Sequence, residues 1–155
     1  MRAKKRSKGT LSLAEEKKLK TRYKKFSYAA WITGFSSLGL LLFQKYGDTL
    51  AFMHSGMLST MVVLYFIGFY ISLFLFFLAA SYSFLQEKRN WVITNALLIV
   101  VVFVSLFWFS TEIPIVDKHG TLTEITPQFP RYTALGAAFS GIFIGIIALF
   151  KRRGN

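Results

Sequence analysis

Between Phe26 and Gln44 the chain carries no charged side chain, and three further stretches, about residues 57–85, 91–110 and 132–150, are equally free of charge. A soluble domain threads its charges between apolar stripes, because every helix or strand must present one face to water. Here the two kinds of residue are sorted into blocks, the pattern of a chain that has lipid as its solvent. At ~1.5 Å per residue the first stretch measures ~29 Å as a helix, matching a hydrocarbon core of ~30 Å. The second exceeds that minimum and must tilt or project beyond the bilayer. Trp91, Trp108 and Tyr132 stand near span ends, where indole and phenol rings settle at the membrane–water boundary.

Composition agrees: 54% of the 155 residues are hydrophobic, Phe alone occurs 17 times, and mean hydropathy is +0.46. The length suits one compact domain. The absence of cysteine removes disulfides, thiolate nucleophiles and Cys-bound metals.

Residues 1–10 read as a basic, disordered tail. Ser12-Leu13-Ala14-Glu15 fits a capping box, in which the hydroxyl and the carboxylate satisfy amide donors at a helix start. Leu19, Tyr23 and Phe26 form a thin apolar stripe on the basic helix that follows, which is expected to lie along the membrane surface or to run directly into the first span. Residues 1–25 are too long, and the apolar segment after them too extended, for a cleaved leader, so the first span reads as a retained anchor.

Charge fixes an orientation. Four spans put the N-terminal region, the Gln86–Asn90 turn and residues 151–155 on one face, and that face holds sixteen of the 19 basic residues. Only Lys45, Lys118 and Arg131 fall on the other. Lys and Arg are retained on the cytoplasmic side, so both ends are expected there, in a plasma (inner) membrane; the absence of cysteine from a small membrane protein adds the expectation of a bacterial origin. The same distribution explains the net charge of +12 without a nucleic-acid partner, and none is expected.

The expected fold is therefore an all-α membrane protein. It comprises a four-transmembrane-helix bundle (26–150), a cytoplasmic basic tail and N-terminal amphipathic basic helix before it (1–25), a short extracytoplasmic loop or hairpin at 111–131, and a cytoplasmic tail at 151–155. Within that loop, Ile113–Val116 and Thr121–Ile125 are β-prone and flank a turn at Asp117-Lys118-His119-Gly120.

No span carries an Asp, Glu, Lys, Arg or His in its middle, which argues against a proton-coupled transporter, an ion pump or an intramembrane protease. Asn95 is the strongest polar group within a span and reads as an interhelical hydrogen-bonding residue. Ala137, Gly141 and Gly145 recur every four residues, a candidate helix-packing interface used within the bundle or against another subunit. The aromatics of the second span read as packing. Glu112, Asp117, His119, Glu124 and His54 match no ligand spacing, and no Ser lies in a nucleophile elbow, so neither metal, cofactor nor enzymatic activity is expected. Lys17, Lys18, Lys20, Arg22, Lys24 and Lys25 are candidates for contact with anionic lipid headgroups or with an acidic partner.

These features lead to an expected function by protein–protein contact, as an accessory, assembly or regulatory subunit of an envelope complex or through self-association. The alternative is an oligomeric transporter, pore or holin-like protein. It would line a path with Ser36, Ser37, Ser59, Thr60, Tyr65, Ser72, Asn95, Ser105 and Ser140 from several copies.

Overall fold

The computed structural model describes residues 13–47 and 57–150. Ser12 of the capping box, the tail at 1–10, Asp48, His54 and Gly56 of the first loop, and Lys151, Arg152 and Arg153 lie outside the described residues. Four helices, α1 (Leu13–Tyr46), α2 (Met57–Leu85), α3 (Arg89–Phe109) and α4 (Gln128–Phe150), alternate in direction. Between α3 and α4 sits a hairpin of β1 (Ile113–Val116) and β2 (Leu122–Ile125). All four helices are long and apolar enough to cross a membrane.

The basic segment and the first span form one uninterrupted helix. Neither Pro nor a Gly-rich break separates Leu13 from Tyr46, and Ala, Lys, Glu and Leu are strong helix formers, so nothing stops the helix at the apolar boundary. At ~1.5 Å per residue its 34 residues measure ~51 Å, well beyond a hydrocarbon core. Of the two expected courses, the chain takes the direct run into the span.

The bundle is a pair of antiparallel pairs. α1 packs along α2, α3 packs along α4, and α3 joins the two pairs while α2 and α4 barely touch. At the centre, Phe103 of α3 lies edge-on between Phe69 and Phe76 of α2, with ring centroids 5.5 Å and 6.0 Å away. Leu41, Ile99, Val102 and Leu106 close the same core. The opposite faces carry Ile32, Phe74, Val101, Phe139 and Phe143, all exposed, so large apolar side chains stand outside as well as inside. In water such a surface would drive aggregation; against acyl chains it costs nothing.

The α2–α3 connection shows how closely the helices are joined. The Lys88 amide donates to Ser83 O at 2.9 Å and the Glu87 amide to Phe84 O at 3.1 Å, the paired bonds of a Schellman C-cap. That motif needs a left-handed residue, and Glu87 supplies it at φ 56° where glycine is usual. Glu87→Gly should therefore raise stability by about 1 kcal/mol, read as an upward shift in Tm in detergent. An unchanged or lower Tm would show that the turn carries no such strain.

Candidate functional site

Two polar clusters, one at each end of the bundle, hold the elements together. The first lies near the basic end, nearly two turns into α3. Ser27 and Trp31 share a face of α1, and Trp91 and Asn95 share a face of α3, because residues four apart on a helix are neighbours. Asn95 is fully buried and its side-chain amide serves three helices. Its Oδ1 accepts from Trp31 Nε1 at 3.1 Å, and its Nδ2 donates to Ser27 Oγ at 3.0 Å and to Ser83 Oγ of α2 at 3.4 Å. The Ser83 hydroxyl in turn donates to Ala79 O at 2.7 Å.

Aromatic rings wall this knot. Trp31 and Trp91 stack at 5.6 Å, Tyr23 and Tyr28 meet Trp91 edge-on, and Phe26 stacks on Tyr82. Rings with a polar edge favour the depth of lipid headgroups over the apolar interior of a bilayer. The basic residues of α1 begin within this aromatic layer, where Lys24 and Lys25 are exposed between Tyr23 and Phe26, and continue past it from the exposed Arg22. The helix also contains Lys17, Lys18 and Lys20, whose side chains lie outside the described set.

The second cluster seals the hairpin end, where β1 lies over the ends of α1 and α2. Ile113 is fully buried beneath the hairpin, and Gln44 Nε2 donates to the Pro114 carbonyl at 3.1 Å. Two of the three cations at this end are used as caps. Lys45 Nζ donates to Thr111 O at 2.9 Å and to Thr111 Oγ1 at 3.1 Å. Arg131 Nε donates to Phe107 O at 3.4 Å while its guanidinium covers the Phe107 ring at 4.8 Å. Both contacts satisfy carbonyls at or just past the C-terminus of α3, which has no further helix turn to donate amides to them and where the dipole favours positive charge.

The hairpin turn is organised by one carboxylate. Asp117 Oδ1 accepts from the His119 and Thr121 amides, Gly120 donates its amide to Asp117 O, and Gly120 takes the left-handed conformation at φ 78°. This is a three-residue loop with glycine at its bulge position. The amide of His119, and then that of Thr121, hold the Asp117 carboxyl below the usual carboxylate range. The turn's stabilisation is therefore complete above the ordinary Asp value of about 3.9 and is lost as pH falls through the depressed one. The His119 and Thr121 amide resonances should titrate with a midpoint below about 3.9, and a midpoint at or above it would break the assignment.

The remaining candidates fall as follows. The Ala137, Gly141 and Gly145 face of α4 packs against α3: a Cβ on Gly141 would stand 2.8 Å from Ile99 Cγ2, and one on Gly145 3.5 Å from Ala96 Cβ. Of the polar groups considered for a pore, Ser37, Ser72 and Asn95 are inside the bundle, whereas Ser36, Ser59 and Thr60 are exposed. Among the described residues no three His, Asp or Glu side chains gather as metal ligands. The caps made by Lys45 and Arg131 and the partners of Asn95 escaped sequence reasoning. The four-residue spacing of Ser27 with Trp31 and of Trp91 with Asn95 was the available signal.

Comparison with protein-family models, with curated proteins and with solved structures finds no match to this chain.

Proposed function

We propose that this is a small multi-pass plasma-membrane protein that acts by protein–protein contact, as an accessory, assembly or regulatory subunit of a bacterial envelope complex. In this reading the basic end faces the cytoplasm and the hairpin faces outward. The observation that carries it is the continuity of α1. A helix held in the bundle by Tyr23, Phe26 and Ser27 is continuous, as one α-helix, with the basic residues that precede them. A charged helical extension anchored by four spans would offer a docking surface next to the membrane.

Orientation is supported by the use of the cations. Lys45 and Arg131, two of only three at the hairpin end, are committed to carbonyls of the chain itself, whereas Arg22, Lys24 and Lys25 at the other end are exposed. At the hairpin end two of the three cations thus serve the chain itself, whereas the basic end keeps exposed cations beside its first span, as the positive-inside bias requires. The non-enzymatic reading is supported by the spans: the core is filled mostly by Phe, Leu, Ile and Val, and two of its buried polar groups, Asn95 and Ser83, are engaged with one another.

Mild detergent extraction followed by native mass measurement tests the proposal. The expected result is a complex with a different chain that Arg22→Glu/Lys24→Glu/Lys25→Glu dissociates while the bundle stays folded. A lone monomer, or a complex indifferent to those charges, would overturn it. A pure homo-oligomer that releases dye from vesicles would favour the pore reading.

A further inference from the structure

Because α2 and α4 barely touch, the bundle leaves a slot between them at its basic end. Ala80, Ser81, Phe84 and Leu85 form one wall and Ile144 and Ile147 the other, around a cavity of about 330 Å³ that is open along one side. The lining is almost wholly apolar, and Ala80 and Ser81 are small enough to leave room along α2. Such a slot fits a flexible hydrocarbon chain lying parallel to the helices.

The mouth of the slot is positively charged. Lys88 and Arg89 follow the last turn of α2, and Arg89 Nη2 reaches across to donate to Leu149 O at the end of α4, 3.1 Å away. That bond takes one of the five N–H groups of a guanidinium. The N-terminus of α3 opens at the same place. Its N-cap is Lys88, no side chain caps it, and its first turn contains no acid, so the positive end of the helix dipole meets the two cations. Glu87 offsets one of these charges, and Lys151, Arg152 and Arg153 follow Phe150 directly in the sequence.

We infer that the α2–α4 slot binds one anionic phospholipid of the surrounding bilayer, with an acyl chain along Ala80, Ser81, Ile144 and Ile147 and the phosphate at Arg89, Lys88 and the amides opening α3. An apolar slot alone would accept any tail. The uncapped helix start beside two cations selects a headgroup with net negative charge. This inference rests on the membrane reading but not on a partner docked to α1, and the two fail separately.

The test uses the full chain, purified in maltoside detergent, stripped of lipid and titrated with dioleoyl phosphatidylglycerol or dioleoyl phosphatidylcholine. Retention is read by native mass spectrometry. The wild type should retain one phosphatidylglycerol about fivefold better than phosphatidylcholine. Lys88→Gln/Arg89→Gln should abolish that preference and leave a common weak affinity. Ser81→Phe, at an exposed position that fills the slot and keeps both cations, should lower retention of both lipids with Tm unchanged. Equal retention of the two lipids by the wild type would overturn the inference, as would undiminished binding in Ser81→Phe. A preference that survives Lys88→Gln/Arg89→Gln but disappears in Arg22→Gln/Lys24→Gln/Lys25→Gln would place the lipid on α1 and overturn it equally.

Discussion

Gly141→Leu is expected to unseat α4 from α3, at a cost of about 3 kcal/mol. The backbone of α4 approaches α3 so closely here that even a single added carbon lacks room. A Cβ on Gly141 would lie 2.8 Å from Ile99 Cγ2 and 3.1 Å from the Ala96 carbonyl oxygen. Ile99 is β-branched and fully buried, and the Ala96 oxygen belongs to helical backbone, so neither can turn aside. The helix must move instead. α4 rests almost entirely on α3, so its displacement removes the packing of Ala134, Ala137, Ala138 and Ala148 together. Two glycines of the same helix provide the comparison. A Cβ at Gly136 meets nothing within 4 Å, and one at Gly145 meets only Ala96 Cβ, at 3.5 Å. Gly136→Leu should therefore be neutral or slightly stabilising, because it removes a helix-weakening glycine on an exposed face. Gly145→Ala should be tolerated. Equilibrium unfolding in mixed detergent, followed by ellipticity, checks the series; equal losses for Gly141→Leu and Gly136→Leu would refute it.

This contrast also shows where sequence reasoning reached and where it stopped. Four spans were legible because each is a charge-free run bounded by basic residues or aromatic rings, and lipid permits few other structures for such a run. The hairpin was legible because Asp117 and Gly120 carry turn chemistry between two β-prone runs. The spacing of Ala137, Gly141 and Gly145 announced a close helix contact without saying with what. The answer, α3, depends on which helices become neighbours, and helices that are apolar on every side leave no stripe to decide that. Gly136 and Gly141 are both glycines in the same apolar segment, yet one is exposed and the other is wedged against Ile99. Nothing in the composition of α4 separates them. The same holds for Lys45 and Arg131, which counted as topology signals until their carbonyl partners placed them in the cap of α3.

A second large effect is expected where α1 crosses α2, together with its own rescue. Gly68→Ala should cost about 2 kcal/mol, because a Cβ at that position would collide with Ser37 Oγ. Ser37 is buried, and its hydroxyl has no hydrogen-bond partner among the described residues. Removing it alone, in Ser37→Ala, takes away an unsatisfied polar group and should be neutral or stabilising by up to about 1 kcal/mol. In Ser37→Ala/Gly68→Ala the two methyl groups would stand near 3.6 Å, an ordinary contact, so the double variant should recover most of the loss. The coupling energy of the cycle should be about 1–2 kcal/mol, whereas additive effects would mean that the serine simply rotates away. The consequence reaches the basic end, because α1 is one unbroken helix and a change in its crossing angle at Ser37 is carried along its length to Arg22 and Lys24. Trp31 and Trp91, stacked between the crossing and those cations, should report the movement. Their fluorescence should shift in Gly68→Ala and return in the double variant. A crossing that resets without moving the tryptophans would separate the packing of α1 from the placement of its basic turns.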